Sequence, residues 1–242
     1  MSDHIKRICC LTRRPGLSLV EFQTRWLHAF TAARRDMSAR AVACIVLHDV
    51  PGCEASYDAI SMEWILPTDP SLSAPWAATS SFQRPDVQQV DELEALVDPG
   101  SSVCIVADEL VLRGADWLAR RWADPAAKLK HMALARKAHG LSAVEFSERW
   151  RNRPGQLGGG PSAPVITIPD AARGHAYVQN HPRQHVEPSA YDAINEVYFD
   201  DLNALRARIE FFAQHDLLKA DSELISQTLF AIVREQMISL RS

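Results

Sequence analysis

The run Lys6–Trp26, K-R-I-C-C-L-T-R-R-P-G-L-S-L-V-E-F-Q-T-R-W, returns at Lys130–Trp150 as K-H-M-A-L-A-R-K-A-H-G-L-S-A-V-E-F-S-E-R-W. The two runs align without a gap at an offset of 124. Lys6, Gly16, Leu17, Ser18, Val20, Glu21, Phe22, Arg25 and Trp26 recur as Lys130, Gly140, Leu141, Ser142, Val144, Glu145, Phe146, Arg149 and Trp150. A second echo, Y-D-A-I at Tyr57–Ile60, reappears at Tyr191–Ile194 with an offset of 134, so the second copy carries about ten more residues in between. The G-G-G-P-S-A-P stretch from Gly158, a flexible lid or linker, supplies them. A period of this length exceeds a solenoid repeat and suits a duplicated domain.

Working outward, each copy follows one plan. A strand (Lys6–Arg13; Lys130–Lys137) runs into Gly-Leu-Ser, where Ser18 or Ser142 caps a helix and Glu21 or Glu145 completes a capping box. Two strands rich in Val, Ile and aromatic residues come next (Ala41–His48 and Tyr57–Leu66; His175–His181 and Tyr191–Phe199). A second helix (Ser81–Leu96; Asp200–His215) and a last strand (Val103–Leu112; Thr228–Ile238) close each copy. That order, βαββαβ, is the ferredoxin-like unit. The expected fold class is α+β, with a first domain over 1–112, a connector over 113–127 and a second domain over 128–242. Arg120 and Arg121 in the connector read as a solvated face. One such unit covers only one face of its sheet with helices, so the bare faces should pack together or close into a barrel, with a ligand between them.

Composition bounds the function. The chain has 242 residues, with 26 basic against 30 acidic, a formal net charge of −4 and no basic run, which argues against nucleic-acid or anionic-membrane partners. No apolar run reaches the roughly 20 residues that span a bilayer, and the N-terminus lacks the apolar core of a signal peptide. A cytoplasmic protein is expected. Five cysteines, all in the first half and none in a C-x-x-C pair, read as free thiols in a reducing compartment.

The second copy carries the reactive side chains. Alternation along a strand puts His175, Tyr177, Gln179 and His181 on one face, and Asp192, Ile194, Glu196 and Tyr198 on one face of the next. Aligning Arg40 with Arg173 sets Val42, Cys44, Val46 and His48 of the first copy against those four, and Asp58, Ile60, Met62 and Trp64 against the second set. The first strands then offer Arg7, Cys9, Leu11 and Arg13 against His131, Ala133, Ala135 and Lys137. On this register one shared cavity holds His175 or His181 as general base and Glu196, its pKa raised by burial, as partner acid. Tyr177 or Tyr198 would stabilise a carbonyl or enolate oxygen. His131, Gln179, Tyr198, Asp192, His48 and Trp64 would complete a substrate-binding set. H-x-x-x-H at His181–His185 is interrupted by Pro182, so no metal is expected.

The string R-R-P-G-L-S-x-x-E-F-x-x-x-W at Arg13–Trp26 resembles the opening of the EthD family. Y-V-Q-N-H-P (Tyr177–Pro182), Y-D-A-I-N-E-V-Y-F-D-D (Tyr191–Asp201) and A-D-S-E (Ala220–Glu223) extend the resemblance to the second half, making the chain similar to a tandem EthD-like protein. The resemblance implies a dimeric α+β barrel, here formed within one chain, whose relatives include cyclases, dehydratases, isomerases and monooxygenases. Such sequences often place a histidine four residues after the helix tryptophan. Phe30 and Pro154 hold those positions here, and His28 lies two residues away. The expected activity is a cofactor-independent lyase or isomerase acting on a hydrophobic, aromatic or polycyclic carbonyl compound. The alternatives are a cofactor-free monooxygenase and a non-catalytic binder; a homodimer is compatible with each.

Overall fold

In a computed structural model of the chain, the structure describes residues 4–34, 40–68, 87–124, 126, 128–152, 156–157, 165–183, 189–215 and 221–239. The first half gives β1 (Ile5–Leu11), α1 (Leu19–Arg34), β2 (Ala41–Val46), β3 (Ala59–Ile65), α2 (Val87–Leu96) and β4 (Val103–Arg113). A helix α3 (Ala115–Trp122) follows, in the segment expected to be a plain connector. The second half gives β5 (Lys128–Lys137), α4 (Ala143–Arg151), a two-stranded ribbon β6 (Gln156–Leu157) and β7 (Ile166–Thr167), and the short α5 (Asp170–Arg173). It ends with β8 (Ala176–Pro182), β9 (Ala193–Phe199), α6 (Leu202–Gln214) and β10 (Ile225–Ser239). The Gly158–Gly160 run, Pro154, His185 and the start of the expected Ser81–Leu96 helix lie outside the described residues.

Eight strands close into an antiparallel barrel in the order β1-β3-β2-β10-β5-β9-β8-β4. Closure leaves no free sheet edge. The capping box expected at the second helix is present: the Ser142 hydroxyl accepts from the Glu145 amide, and Glu145 accepts from the Ser142 amide. In the first copy Ser18 Oγ likewise accepts from the Glu21 amide at 3.2 Å.

The barrel interior is packed. Ile8, Cys10, Val42, Cys44, Ile60, Met62, Met132, Leu134, Ile194 and Val233 interdigitate there as a single buried cluster. One end carries the repeated tyrosines, with Tyr57 and Tyr191 hydroxyls 2.8 Å apart. At the other end α3 lies across the strand ends. Its Leu118 packs on Ala176, Val178 and Tyr198, and its Arg121 sits 5.0 Å from the centroid of the Tyr198 ring. Gly114 makes the turn from β4 into α3 with φ 79°, and a Cβ there would stand 2.4 Å from the His175 carbonyl oxygen. Arg121, expected on a solvated face, is buried and paired with Glu235.

Helices cover the outside of the barrel. In the first half α1 and α2 pack Phe22, Trp26, Phe30, Leu93 and Leu96 onto Cys9, Leu11, Ala43 and Ala59. Cys9 is disulfide-bonded to Cys104, its cross-strand neighbour on β4, whereas free thiols were expected throughout; Cys10, Cys44 and Cys53 are free. No helix among the described residues is long and apolar enough to cross a membrane.

Candidate functional site

The strand ladders fix which side chains share a face. Val42 lies opposite Met62 and Val178 opposite Glu196, so β8 corresponds to β2 with an offset of 136, three residues from the Arg40–Arg173 register. An odd slip exchanges the two faces of a strand. Ala176, Val178 and Asn180 therefore point into the barrel, while Tyr177, Gln179 and His181 point outward, toward the helices. The first strands keep their offset of 124, but their inner face is the opposite of the expected one. Lys6, Ile8 and Cys10 face inward, as do Lys130, Met132 and Leu134; Arg7 and His131 face outward. Glu196 and Tyr198 do lie inside. The expected shared cavity thus separates into two places on opposite sides of one sheet.

Inside the barrel is an ionic cluster. Glu196 accepts from Lys6 Nζ, from Lys130 Nζ at 2.5 Å, from Asn180 Nδ2 at 2.9 Å and from the Tyr198 hydroxyl at 2.9 Å. Lys6 also reaches Glu109 at 2.8 Å, and Lys130 reaches Glu235. The expected raised pKa is reversed. Burial alone would lift the Glu196 carboxyl, but the two ammonium groups hold it well below the usual carboxylate range. Burial lowers the pKa of Lys130, while Glu109 and Glu196 raise that of Lys6 against the same burial effect. Lys6 and Lys130 are the first members of the sequence repeat, and Glu109 and Glu235 correspond at an offset of 126 along β4 and β10. That recurrence of charge was the available signal for the cluster. Trp64 takes the place of Tyr198, with Lys6 Nζ 4.5 Å from its ring centroid.

The open space lies outside the barrel, between the second half's sheet and its helices. A cavity of about 290 Å³ is walled by Ala133, Asn195, Val197, Tyr177, Phe230 and Ile225 of the barrel sheet, Trp150 of α4, Arg208 and Phe212 of α6, Leu157 of β6, and Ile168 and Leu224 from the loops. Arg113, Arg173, Asp221 and Thr228 add polar groups. Helix length explains why, among the described residues, the space between sheet and helices is filled in the first half and open here. Helix α1 continues to Arg34, so Phe30 extends the Phe22–Trp26 stack and Arg34 reaches the sheet; α4 ends at Arg151. Over the first half, Arg34 Nε and Arg7 Nε donate to Glu63 at 2.5 and 3.1 Å. The ladder partners corresponding to Arg7 and Glu63 are His131 and Val197. No carboxylate stands at that spot in the second half.

Three of the expected site residues, Gln179, Tyr177 and His181, form a hydrogen-bonded chain with Ser147 that reaches the cavity lining at Tyr177. Gln179 Nε2 donates to the Trp150 carbonyl at 3.0 Å and to the Tyr177 hydroxyl oxygen at 3.1 Å. Its Oε1 therefore faces His181 Nε2 at 3.1 Å, which must carry the proton, and His181 Nδ1 accepts from Ser147 Oγ at 2.9 Å. Burial, with Arg151 nearby, lowers the His181 pKa to about 4, so its ring is neutral at neutral pH. Every donor in the chain Ser147–His181–Gln179–Tyr177 points toward the cavity. Burial raises the Tyr177 pKa, keeping its hydroxyl protonated. His131 accepts at Nδ1 from Arg208 Nε at 3.0 Å and stacks on Phe230; burial and Arg208 push its pKa well below 6.5.

The other expected residues lie elsewhere. His175 is exposed, 3.0 Å from Asp200 and stacked on Trp117. Asp192 accepts the Lys137 amide at 3.0 Å, as Asp58 accepts the Arg13 amide at 2.8 Å, which makes them duplicated strand staples. His48 reaches Asp58 at 3.2 Å in a separate surface pocket of the first half. Among the described residues no group of three or more His, Cys, Asp or Glu side chains could hold a metal ion.

No family model and no curated protein matches the chain. Solved structures similar in fold include a candidate monooxygenase from Lactobacillus acidophilus NCFM, at 7% identity and TM-score 0.47 over 96% of this chain and 93% of that one. A point variant of the chlorite dismutase from Candidatus Nitrospira defluvii is similar at 8% identity and TM-score 0.46, over 96% of this chain and 91% of that one. The architecture itself is a mixed α+β barrel of eight antiparallel strands, read directly from the strand ladders.

Proposed function

We propose that the chain is a cofactor-independent lyase or isomerase that moves a proton on an apolar, ring-sized carbonyl compound held in the second-half cavity. The observation that carries this is the one-way hydrogen-bond chain ending at Tyr177. Its oxygen accepts from Gln179, so its O–H is free to donate into the cavity. A carbonyl oxygen placed there would be polarised, and the enolate formed on loss of an adjacent proton would be stabilised by a preorganised donor. His181 and Ser147 act as positioning residues that fix the direction of the chain. Asp221, a buried carboxylate that also lines the cavity, takes the role of base in place of an imidazole.

The finer architecture belongs to the same reading. The half-barrel orders β4-β1-β3-β2 and β10-β5-β9-β8 support a reading as two ferredoxin-like units, with residues 113–127 as their connector. With the Arg13–Trp26 motif and its repeat they support a tandem EthD-like protein.

Aryl ketones such as 2-tetralone, incubated with the protein in D₂O, provide the test. Exchange of the proton next to the carbonyl, followed by NMR, should exceed the buffer rate with the unsubstituted chain and fall at least about tenfold in Tyr177→Phe. No exchange above buffer with any ketone that binds would overturn the proposal. Oxygen uptake without added cofactor would assign the carbanion to an oxygenase instead.

A further inference from the structure

We propose that the ligand of this cavity is an organic anion, an aromatic carboxylate, whose carboxylate is seated on Arg208. The inference rests on the cavity being the ligand site, and narrows the substrate to a ring compound bearing a carboxylate as well as a reactive carbonyl. Arg208 is 6% exposed and lines the cavity wall. Its Nε donates to His131 Nδ1 at 3.0 Å and one terminal nitrogen donates to the Ala172 carbonyl at 3.0 Å; both acceptors are neutral. Among the described residues no carboxylate forms an ion pair with it. Burial and Arg113 depress its pKa to about 10, where the guanidinium is still cationic at neutral pH.

A buried cation without a counter-ion is costly, and proteins rarely keep one without a use. The first half shows the balanced alternative, with Glu63 answering both Arg7 and Arg34. In the second half Val197 replaces that carboxylate and a guanidinium remains, now from α6. Arg113 and Arg173 bring two further cations to the lining, against a single carboxylate, Asp221, among the described residues. Arg113 donates to the backbone carbonyls of Gly174 and Arg173, and Arg173 pairs with the exposed Asp170 at 3.0 Å. Apart from Tyr177, Asn195 and Thr228, the remaining wall is apolar or aromatic. A dry cavity of about 150 Å³ takes one benzene ring, so about 290 Å³ accommodates two fused rings.

The test compares 2-naphthoate with its neutral amide, 2-naphthamide, by isothermal titration calorimetry on the full chain. The carboxylate should bind at least about tenfold tighter, as hydrogen bonds to charged partners warrant. Arg208→Met should erase that preference and Arg208→Lys should keep part of it, with circular dichroism reporting whether each variant is folded. If the amide binds as tightly as the carboxylate, or a folded Arg208→Met keeps the preference, the anion proposal is overturned while the cavity stands as a ligand site. If neither compound binds, both fall. Should Arg208→Met not fold, the ratio in the unsubstituted chain and in Arg208→Lys decides.

Discussion

Replacing Glu196 by glutamine separates a structural carboxylate from a catalytic one. In the barrel the Glu196 side chain is fully buried between two fully buried ammonium groups, and it accepts two further hydrogen bonds from Asn180 and Tyr198. Glutamine keeps the shape but leaves Lys6 and Lys130 facing each other with one negative charge fewer. Breaking a buried ion pair by removing one partner costs about 3–5 kcal/mol. For a chain of this length, 1 kcal/mol moves the melting temperature by about 2–4 °C, so a fall of about 6–20 °C is expected. Differential scanning calorimetry on Glu196→Gln and on Glu196→Gln/Lys130→Met reads it, and the double variant should recover part of the loss because one stranded charge is gone. Ligand affinity, measured below the variant's transition, should stay within about twofold, since the sheet separates Glu196 from the cavity. A melting temperature unchanged within about 2 °C, or ketone exchange lost while the fold persists, would refute this placement.

Three further outcomes follow from the same geometry. Burial raises and the Arg34 and Arg7 guanidinium groups lower the Glu63 pKa, to a net value of about 2. The resulting stabilisation, of order 3 kcal/mol, should be fully present above about pH 4.5 and fade as pH falls toward 2, and denaturant titrations of Glu63→Gln should lack that fade. His181, with its pKa lowered to about 4, adds stability that is complete above about pH 6.5 and lost as pH drops toward 4. Its ring should appear by ¹⁵N NMR as the neutral Nε2–H tautomer near neutrality, and a midpoint above 6 would contradict the chain direction. Ala133→Phe, which projects a ring into the cavity, should abolish 2-naphthoate binding while lowering the melting temperature by less than about 4 °C, because it fills space instead of displacing packed atoms; calorimetry reads both.

The duplicated plan was legible because residues such as Trp26 and Trp150, or Ser18 and Ser142, serve backbone and packing needs that both copies share. The faces of β8 were not. Its register against β2 depends on how many residues precede the strand: Arg173 ends α5 and Gly174 and His175 follow it, three residues that the Arg40–Arg173 alignment matched to Arg40 onward. Hydrophobic alternation could not correct the slip, because Tyr177, Gln179 and His181 are polar on a face that helices nevertheless cover. Glu196 was placed on the correct side of its strand, but its pKa direction depended on Lys6 and Lys130. Those two residues were visible as a repeated pair, with no indication that they point at a third group. Helix α3 escaped notice for a related reason: its Arg121 looks like surface charge until Glu235 is found beneath it.

Because α3 has no counterpart among the described residues, the barrel they form has a polarity that two identical halves would not give it. Glu109 and Glu235 are counterparts, yet only Glu235 receives Arg121. A gene cut between the repeats would therefore have to leave residues 114–122 on one fragment and accept that the other supplies none. Reassembly of such fragments should favour the heterologous pair, since the fragment without α3 cannot cap its own mirror copy.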